Sequence, residues 1–333
     1  MTGVPRAIAL TPILSARYRE EDLARIRAAA PGARLVMVSM EGHPDGPLDD
    51  VEVLLRGPIA AGVFDRFLVR APALRWVHSA TAGVERVLTP LAAERDLAIT
   101  NARGVFTEPI AEYVLLMILS VVRRLPQLLE LHRERTWQPL VSREMRDVTI
   151  GIVGLGSIGQ AVARLSLAFG ARVVATRKER AGGTAELPAD LSGIAAVLPP
   201  DRLTELLTQS DFVVLAAPYT AETHDLIDER ALAAVKPGAW LVNIARGHLV
   251  DDRALERALR DGRLGGAILD TIREEPLPPT SPLYDVPNLL ITPHTSWSSG
   301  RVLDRSIDLF CENLERYARG EPLLNAIDRS RGY

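Results

Sequence analysis

The sequence predicts an α/β protein of two domains, each built on a parallel sheet with helices on both faces. Three observations carry that expectation. Short apolar segments bounded by turn residues alternate with helical segments along almost the whole chain, as βαβ units require. At 333 residues the chain is long enough for two separate cores. Residues 148–178 read strand, glycine loop, helix, strand.

In the first region, strands are expected at 7–14 and 34–39, with an amphipathic helix over 20–30 stopped by Pro31-Gly32. A Gly/Pro/Asp-rich loop at 41–49 precedes a third strand, 51–55, which ends at Arg56-Gly57-Pro58. A short helix over 63–69 and strands at 74–78 and 97–100 follow. No phosphate-binding loop occurs here, so this is the expected substrate domain. Thr107-Glu108-Pro109-Ile110 then opens the strongest helix: Thr107 caps it and Pro109 is tolerated in its first turn. Residues 110–125 are apolar on several faces, which suits burial between domains or subunits. The charged arm 127–146, which holds Trp137, has two readings: it wraps a partner subunit or folds back on its own domain.

Residues 148–153 (VTIGIV) form a short apolar run suited to a buried parallel strand. The G-x-G-x-x-G that follows is Gly154-Leu155-Gly156-Ser157-Ile158-Gly159. Gly154 permits the tight turn, Gly156 lets backbone N–H groups approach a pyrophosphate, and Gly159 lets helix and strand pack closely. Alone the motif is weak; inside a complete strand–turn–helix–strand unit it marks a dinucleotide site. The acidic residue that usually binds the ribose 2′-hydroxyl of NAD is missing, because the second strand ends Ala175-Thr176-Arg177-Lys178-Glu179-Arg180. Cationic groups there favour a 2′-phosphate, hence NADP over NAD. The other reading keeps NAD, with the cations as solvated turn charges and Glu179 turned inward. Residues 178–200 lack periodicity and read as a surface excursion. Further strands at 211–216, 240–245, 266–270 and 288–292 alternate with helices, giving the six parallel strands of a Rossmann domain, and a helix over 300–317 closes the chain.

Composition excludes several function classes. Apolar residues make up 47% and charged residues 24%, as in ordinary globular proteins. A net charge of −3 argues against a nucleic-acid or anionic-membrane surface. Cys311 is the only cysteine, so no intrachain disulfide forms, and the six histidines show no metal-ligand spacing. The start MTGVPRAIAL lacks a basic n-region and a long apolar run, and the longest apolar stretch, 113–122, is too short to span a bilayer. The expectation is a soluble, cytoplasmic protein with no metal.

Three residues fall at the carboxyl ends of late strands, where α/β sheets bind ligands: Arg246, Glu275 and His294. Singly each has an ordinary reading, as a helix-end ion pair, a loop charge and a core histidine. Together they are what hydride transfer to a 2-oxo acid needs. An arginine forks onto the carboxylate and polarises the ketone, a histidine supplies the proton, and a carboxylate keeps that histidine charged.

With the glycine loop, Ala217-Pro218 and Thr223, Asn243-Ile244-Ala245-Arg246-Gly247, Leu249-Val250-Asp251, Glu275-Pro276 and Thr292-Pro293-His294, the chain closely resembles the D-isomer-specific 2-hydroxyacid dehydrogenase family. The resemblance covers nearly the whole chain. It implies a Rossmann domain at 102–293 and a flavodoxin-like, discontinuous substrate domain made of 1–101 and 294–333, with hinges that let a cleft close. It assigns Arg246 to the substrate carboxylate and carbonyl, His294 to proton transfer and Glu275 to orienting His294. Backbone amides of Ala82, Gly83 and Val84 would grip the same carboxylate. Ser157 and Ile158 would lie along the pyrophosphate, with Pro218 and Thr223 near the adenosine. Ile244 and Asp270 would hold the nicotinamide carboxamide, and Thr107 would lie beside it.

There are departures. Thr176-Arg177 replaces the common acidic ending and resembles the NADP-using glyoxylate and hydroxypyruvate reductases of the family. Thr271-Ile272 stands where Val-Phe is usual. Trp297, where small residues are common, either walls the substrate pocket or packs at the domain interface. Arg56, at a strand end, either faces an acidic substrate tail or is a plain surface arginine. The expected function is NADPH-preferring reduction of a small 2-oxo acid to a D-2-hydroxy acid, by a homodimer joined through the Rossmann domain. The rivals are a relative with a specialised substrate, such as phosphite or a biosynthetic acid, and a non-catalytic dinucleotide sensor.

Overall fold

Five short apolar segments make the first sheet: β1 (Ala7–Leu10), β2 (Arg34–Met37), β3 (Val51–Arg56), β4 (Trp76–Ser79) and β5 (Ala98–Asn101). All pairings are parallel and the order is β2-β1-β3-β4-β5, the flavodoxin-like arrangement. Helices α1 (Glu20–Ala29), α2 (Ala61–Arg70) and α3 (Pro90–Ala93) make the crossovers. The structure is a computed structural model and describes residues 3–13, 18–84, 86–178 and 187–328.

The second sheet follows α4 (Thr107–Val122) and α5 (Leu125–Arg133). Its strands are β6 (Thr149–Val153), β7 (Arg172–Thr176), β8 (Ala196–Leu198), β9 (Phe212–Leu215), β10 (Trp240–Asn243), β11 (Gly266–Leu269) and β12 (Leu289–Ile291). They are interleaved with α6 (Ser157–Ala168), α7 (Leu203–Gln209), α8 (Glu229–Ala234) and α9 (Asp252–Arg260). The order β12-β11-β10-β9-β6-β7-β8, all parallel, is the doubly wound Rossmann order with one further strand at the β12 edge. Strand order reverses between β6 and β9, so the loops after these two strands flank the crevice where such sheets bind ligands.

The chain ends in α10 (Val302–Arg319), whose Ile307, Phe310, Leu314 and Tyr317 are buried in the core beneath β1, β3 and β4. The ring of Trp76 lies 5.5 Å from Phe310 and 5.6 Å from Tyr317. The chain accordingly divides into Met1–Phe106 with Ser299–Tyr333, and Thr107–Ser298. Each crossing lies five residues beyond the expected boundary at 101 or 293. Just past each expected boundary the chain is still bonded to the unit it is leaving: Ala102 N–H donates to Thr81 O, while Thr295 and Ser296 N–H donate to Asp270.

Two elements depart from expectation. Part of the 178–200 excursion is β8, a three-residue edge strand that pairs with β7 and stops at Pro199-Pro200. The long helix ends at Val122 rather than 125, because Arg124 turns left-handed (φ 57°) and Pro126 starts α5. Among the described residues no helix is long and apolar enough to cross a membrane.

His78 gives the first sheet a pH-dependent stability. Trp76 Nε1–H donates to Thr100 Oγ1 (2.9 Å), which also lies 2.7 Å from His78 Nδ1. Burial pushes the ring's pKa down to about 3, which favours the neutral imidazole, and Nε2 is buried with no partner among the described residues. The unfolded chain takes up the proton near the ordinary value while the folded chain refuses it. Stability should therefore fall as pH drops below about 6.5, by up to about 1.4 kcal/mol per unit, and level off only near the folded value. Urea unfolding midpoints from pH 7 to 4.5 test this: His78→Asn, which keeps an acceptor for Thr100, should show a shallower slope than wild type. Equal slopes would exclude His78 as the source.

Candidate active site

The site-bearing loops all leave the carboxyl ends of strands in the second unit. After β10, Asn243 folds the chain into a turn: its Oδ1 accepts from Ala245 N–H (3.0 Å) and its Nδ2 donates to Arg246 O (2.9 Å). Asn243 is fully buried, so these two bonds satisfy a side chain that could not otherwise sit there. Arg246 follows, half-buried, with its Nη1 donating to Ala245 O (2.7 Å). Gly247 then meets the loop that carries Glu275. A Cβ placed on Gly247 would lie 2.0 Å from the carbonyl carbon of Ile272 and 2.3 Å from Arg273 N. The absence of a side chain is what lets the two loops touch backbone to backbone.

Glu275 is held at both oxygens. Oε1 accepts from Ile272 N–H (3.1 Å) and Oε2 lies 2.8 Å from His294 Nδ1. Burial pushes the carboxyl up, but the His294 hydrogen bond and charge, the Ile272 amide and the charge of Arg246 outweigh it and hold it below its usual range. An ionised carboxylate only accepts, so His294 Nδ1 is the donor and Nε2 is the ring atom left for chemistry. The pair is about two-fifths exposed, 43% for His294 and 37% for Glu275. It is open to a ligand rather than sealed in a core.

His294 itself adopts a left-handed backbone, φ 48°. Asp270, 1% exposed after β11, spans the turn: Oδ1 accepts from Thr295 N–H (2.8 Å) and from Thr292 Oγ1 (2.7 Å), and Oδ2 from Ser296 N–H (3.0 Å). Asp270 was expected to hold a carboxamide; what the structure shows is its carboxylate holding the turn of the histidine.

On the other side of the sheet's reversal point, the glycine loop has the geometry a dinucleotide requires. Gly154 has φ 101°, and a Cβ there would lie 2.7 Å from Ala217 N. At Gly159 a Cβ would lie 2.2 Å from Gly154 O. At Gly156, by contrast, a Cβ would meet nothing within 4 Å, so the loop is open at the start of α6. Helix N-termini present unpaired N–H groups and a positive dipole end, here at Ser157 and Ile158. Thr176 is buried and supports the loop: its carbonyl accepts from Gly154 and Leu155 N–H, and its Oγ1 from Gly154 N–H at 3.3 Å. Arg177 is half-buried beside it, and exposed Lys178 pairs with Glu222 (2.8 Å). Glu179 and Arg180 lie outside the described residues. Thr223 shapes the facing loop by donating to Pro218 O (2.8 Å) and accepting from Thr220 N–H (2.8 Å). Ile244 is buried; Thr107 is the first residue of α4 rather than its cap, and its hydroxyl is buried with no partner among the described residues.

Arg56 requires a correction. It is not a surface arginine. It is 1% exposed, stacks 5.1 Å from the Phe64 ring, and donates to the carbonyls of Gly57, Ile59 and Arg86. Burial pushes its pKa down to about 10; the carbonyl oxygens take up its Nη donors, while Nε is buried with no partner among the described residues. Ala82, Gly83 and Val84 lie in the first unit, in the loop after β4, where Asn101 Nδ2 donates to Ala82 O (2.7 Å) and Thr81 Oγ1 to Gly83 O (2.8 Å). Trp297 is half-buried in a turn closed by Ser298 N–H to Thr295 O (2.8 Å). Sequence reasoning assigned no role to Tyr113, whose hydroxyl lies 2.6 Å from Thr292 Oγ1.

A Rossmann sheet with an open glycine loop, and an Arg, Glu and His gathered at its carboxyl edge, defines a nicotinamide-dependent oxidoreductase. The comparisons agree. The model of the D-isomer specific 2-hydroxyacid dehydrogenase NAD binding domain matches residues 115–296. A glyoxylate reductase of Korarchaeum cryptofilum is 34% identical over 290 residues, covering 84% of this chain and 83% of the relative. A D-isomer specific 2-hydroxyacid dehydrogenase of Xanthobacter autotrophicus, solved with NADPH and MES, superposes with a TM-score of 0.84 at 28% identity over the full length of both chains. The NADPH-dependent glyoxylate/hydroxypyruvate reductase of Sinorhizobium meliloti, solved with NADP and sulfate, gives 0.82 at 26% identity, covering 98% of this chain and all of that one. The chain belongs to the D-isomer specific 2-hydroxyacid dehydrogenase family. It is a dehydrogenase that uses a nicotinamide dinucleotide.

Proposed function

We propose that this enzyme reduces a small 2-oxo acid of the glyoxylate or hydroxypyruvate type to the D-2-hydroxy acid, with NADPH preferred over NADH. The observation that carries this reading is the 2.8 Å Glu275–His294 pair, with Arg246 beside it, in the unit that holds the glycine loop. Glyoxylate reductases among the relatives support the substrate class, and the NADP-bound neighbours support the cofactor.

The residues present fit the cofactor: open space at Gly156 and the N-terminus of α6 suit a pyrophosphate, and the unpartnered Thr107 hydroxyl suits a polar group near the ring. Ser157 and Ile158 would take the pyrophosphate, Arg177 and Lys178 the 2′-phosphate, Pro218 and Thr223 the adenosine, and Ile244 with Asp270 the carboxamide. Bound, the reduced nicotinamide supplies a hydride to the carbonyl carbon. Arg246 grips the substrate carboxylate through its planar fork and draws charge toward the ketone oxygen. His294 Nε2 gives a proton to that oxygen as negative charge develops, and takes one back in the oxidative direction. Glu275 keeps the ring aligned through Nδ1 and balances its charge.

The test is direct. Binding of NADPH and NADH is followed by fluorescence, and turnover is followed by loss of reduced cofactor with glyoxylate, hydroxypyruvate, pyruvate and longer 2-oxo acids. Arg177→Ala should weaken NADPH by about 10- to 100-fold, the worth of a charge-assisted hydrogen bond, and leave NADH within about twofold. Wild-type preference for NADH would refute the cofactor assignment, and cofactor binding without turnover of any acid would refute the reductase.

We also propose a homodimer through the second unit. No residue of α5 is buried, Leu116, Leu125, Leu128 and Leu129 are exposed, and so are Trp137 and Val141. Apolar side chains exposed in this number along one stretch of chain support an interaction surface there. Sedimentation should show a dimer whose association is weakened about tenfold or more by Trp137→Ser. Wild-type protein that sediments as a monomer would exclude it.

A further inference from the structure

We infer that Tyr113 and Thr292 are positioning residues for His294, acting through Asp270. The inference rests on the proton-transfer role proposed for His294, but the hydrogen bonds behind it stand independently.

The direction of each bond follows from donor and acceptor counts. Asp270 is buried and spans the turn, with its carboxylate accepting from Thr292 Oγ1, Thr295 N–H and Ser296 N–H. Thr292 has one hydroxyl proton, which it gives to Asp270, so at Tyr113 it must accept. Tyr113 OH is therefore the donor across the 2.6 Å contact. Burial pushes the Tyr113 phenol up to about 12, so it keeps that proton throughout any working range. The chain of bonds thus runs from α4 to β12, then to the loop after β11, and ends on the two amides that follow His294. Thr292 N–H is also fixed, to Leu269 O (3.0 Å).

His294 needs such support because of its backbone. A non-glycine residue at positive φ costs roughly 1–3 kcal/mol and persists only where its surroundings over-determine it. On one side, His294 N–H bonds only to Thr292 O, two residues back. On the other, Thr295 and Ser296 are clamped to one buried carboxylate. Loosening that carboxylate lets the turn relax, and the imidazole swings away from the 2.8 Å contact with Glu275. Tyr113 lies beyond this clamp, which makes it a remote support rather than a group that touches a reacting atom. A phenylalanine would fill the same volume, so only the hydroxyl is left to explain.

Tyr113→Phe, Thr292→Val and Thr292→Ser provide the test, with two readouts. On the cofactor-free protein, hydrogen exchange of the segment 294–298 should speed up about tenfold in Thr292→Val, less in Tyr113→Phe, and not at all in Thr292→Ser. In turnover, Tyr113→Phe and Thr292→Val should lower kcat about five- to twentyfold, with KM for the 2-oxo acid within about threefold, while Thr292→Ser restores kcat. Unchanged exchange and kcat in both Tyr113→Phe and Thr292→Val would overturn the inference. So would a Thr292→Ser variant as damaged as Thr292→Val, or a loss carried by KM alone. Wild-type protein that reduces no 2-oxo acid would instead remove the proposed function, and the exchange readout would still decide whether the clamp depends on these hydroxyls.

Discussion

Arg246→Ala should lower kcat/KM for every 2-oxo acid about a thousandfold and leave the Kd for NADPH within about twofold of wild type. The guanidinium follows β10 on a turn fixed by fully buried Asn243, so truncation removes one bond to Ala245 O but leaves the two Asn243 bonds that hold the turn. Truncation therefore removes the fork that would hold the carboxylate and polarise the ketone without unfolding the strand end. Because the loss falls on both the bound acid and the developing oxyanion, KM should rise and kcat should fall together. Arg246→Lys keeps the charge but loses the planar pair of donors, and should recover only part of the rate. Steady-state kinetics beside a fluorescence titration of NADPH checks both halves. A kcat/KM within tenfold of wild type would sink the assignment of Arg246.

Gly247→Ala should be nearly as damaging, although Gly247 touches no reacting group. Its Cβ would sit 2.0 Å from the carbonyl carbon of Ile272, and both neighbours are backbone, so neither can rotate away. The loops must separate by about 1 Å, a displacement that at a catalytic group costs on the order of a hundredfold in rate. The displaced segment includes Ile272, whose N–H holds Glu275 Oε1 and so fixes the partner of His294. We expect kcat to fall about a hundredfold, stability to fall by about 1–3 kcal/mol as for other overpacked sites, and NADPH binding to change by less than about threefold. The rate, a thermal melt and a titration separate these effects; a melt lowered with kcat intact would show that the close approach serves packing alone.

Residues differ in how far their roles could be read in advance, and the difference follows from range. The role of Gly159 is set within its own strand–turn–helix unit, where a Cβ would meet Gly154 O, and the positive φ of Gly154 belongs to the same turn, although the obstacle its Cβ would meet, Ala217, follows β9. Arg56 was misread because its partners, Ile59 and Arg86, follow from how the loops of the first unit fold over β3, which no local pattern encodes. β8 was missed because three residues at a sheet edge carry no periodicity; the β7 backbone supplies its order through parallel pairing. Tyr113 looked like one more apolar position on a helix, and only its meeting with Thr292, 179 residues away, gives its hydroxyl a purpose.

By itself the sequence determined the α/β class, the glycine loop, and which arginine, glutamate and histidine follow the ends of late strands, because these are written in short-range alternation and in motifs that local backbone geometry obeys. Tertiary structure alone decided where the chain crosses between its two units, that Arg56 is buried, that Gly247 is a point of backbone contact, and that Asp270 clamps the turn of His294. Those outcomes depend on distances between segments far apart in the chain. Such distances are set when strands pair and helices pack, and no single segment contains them.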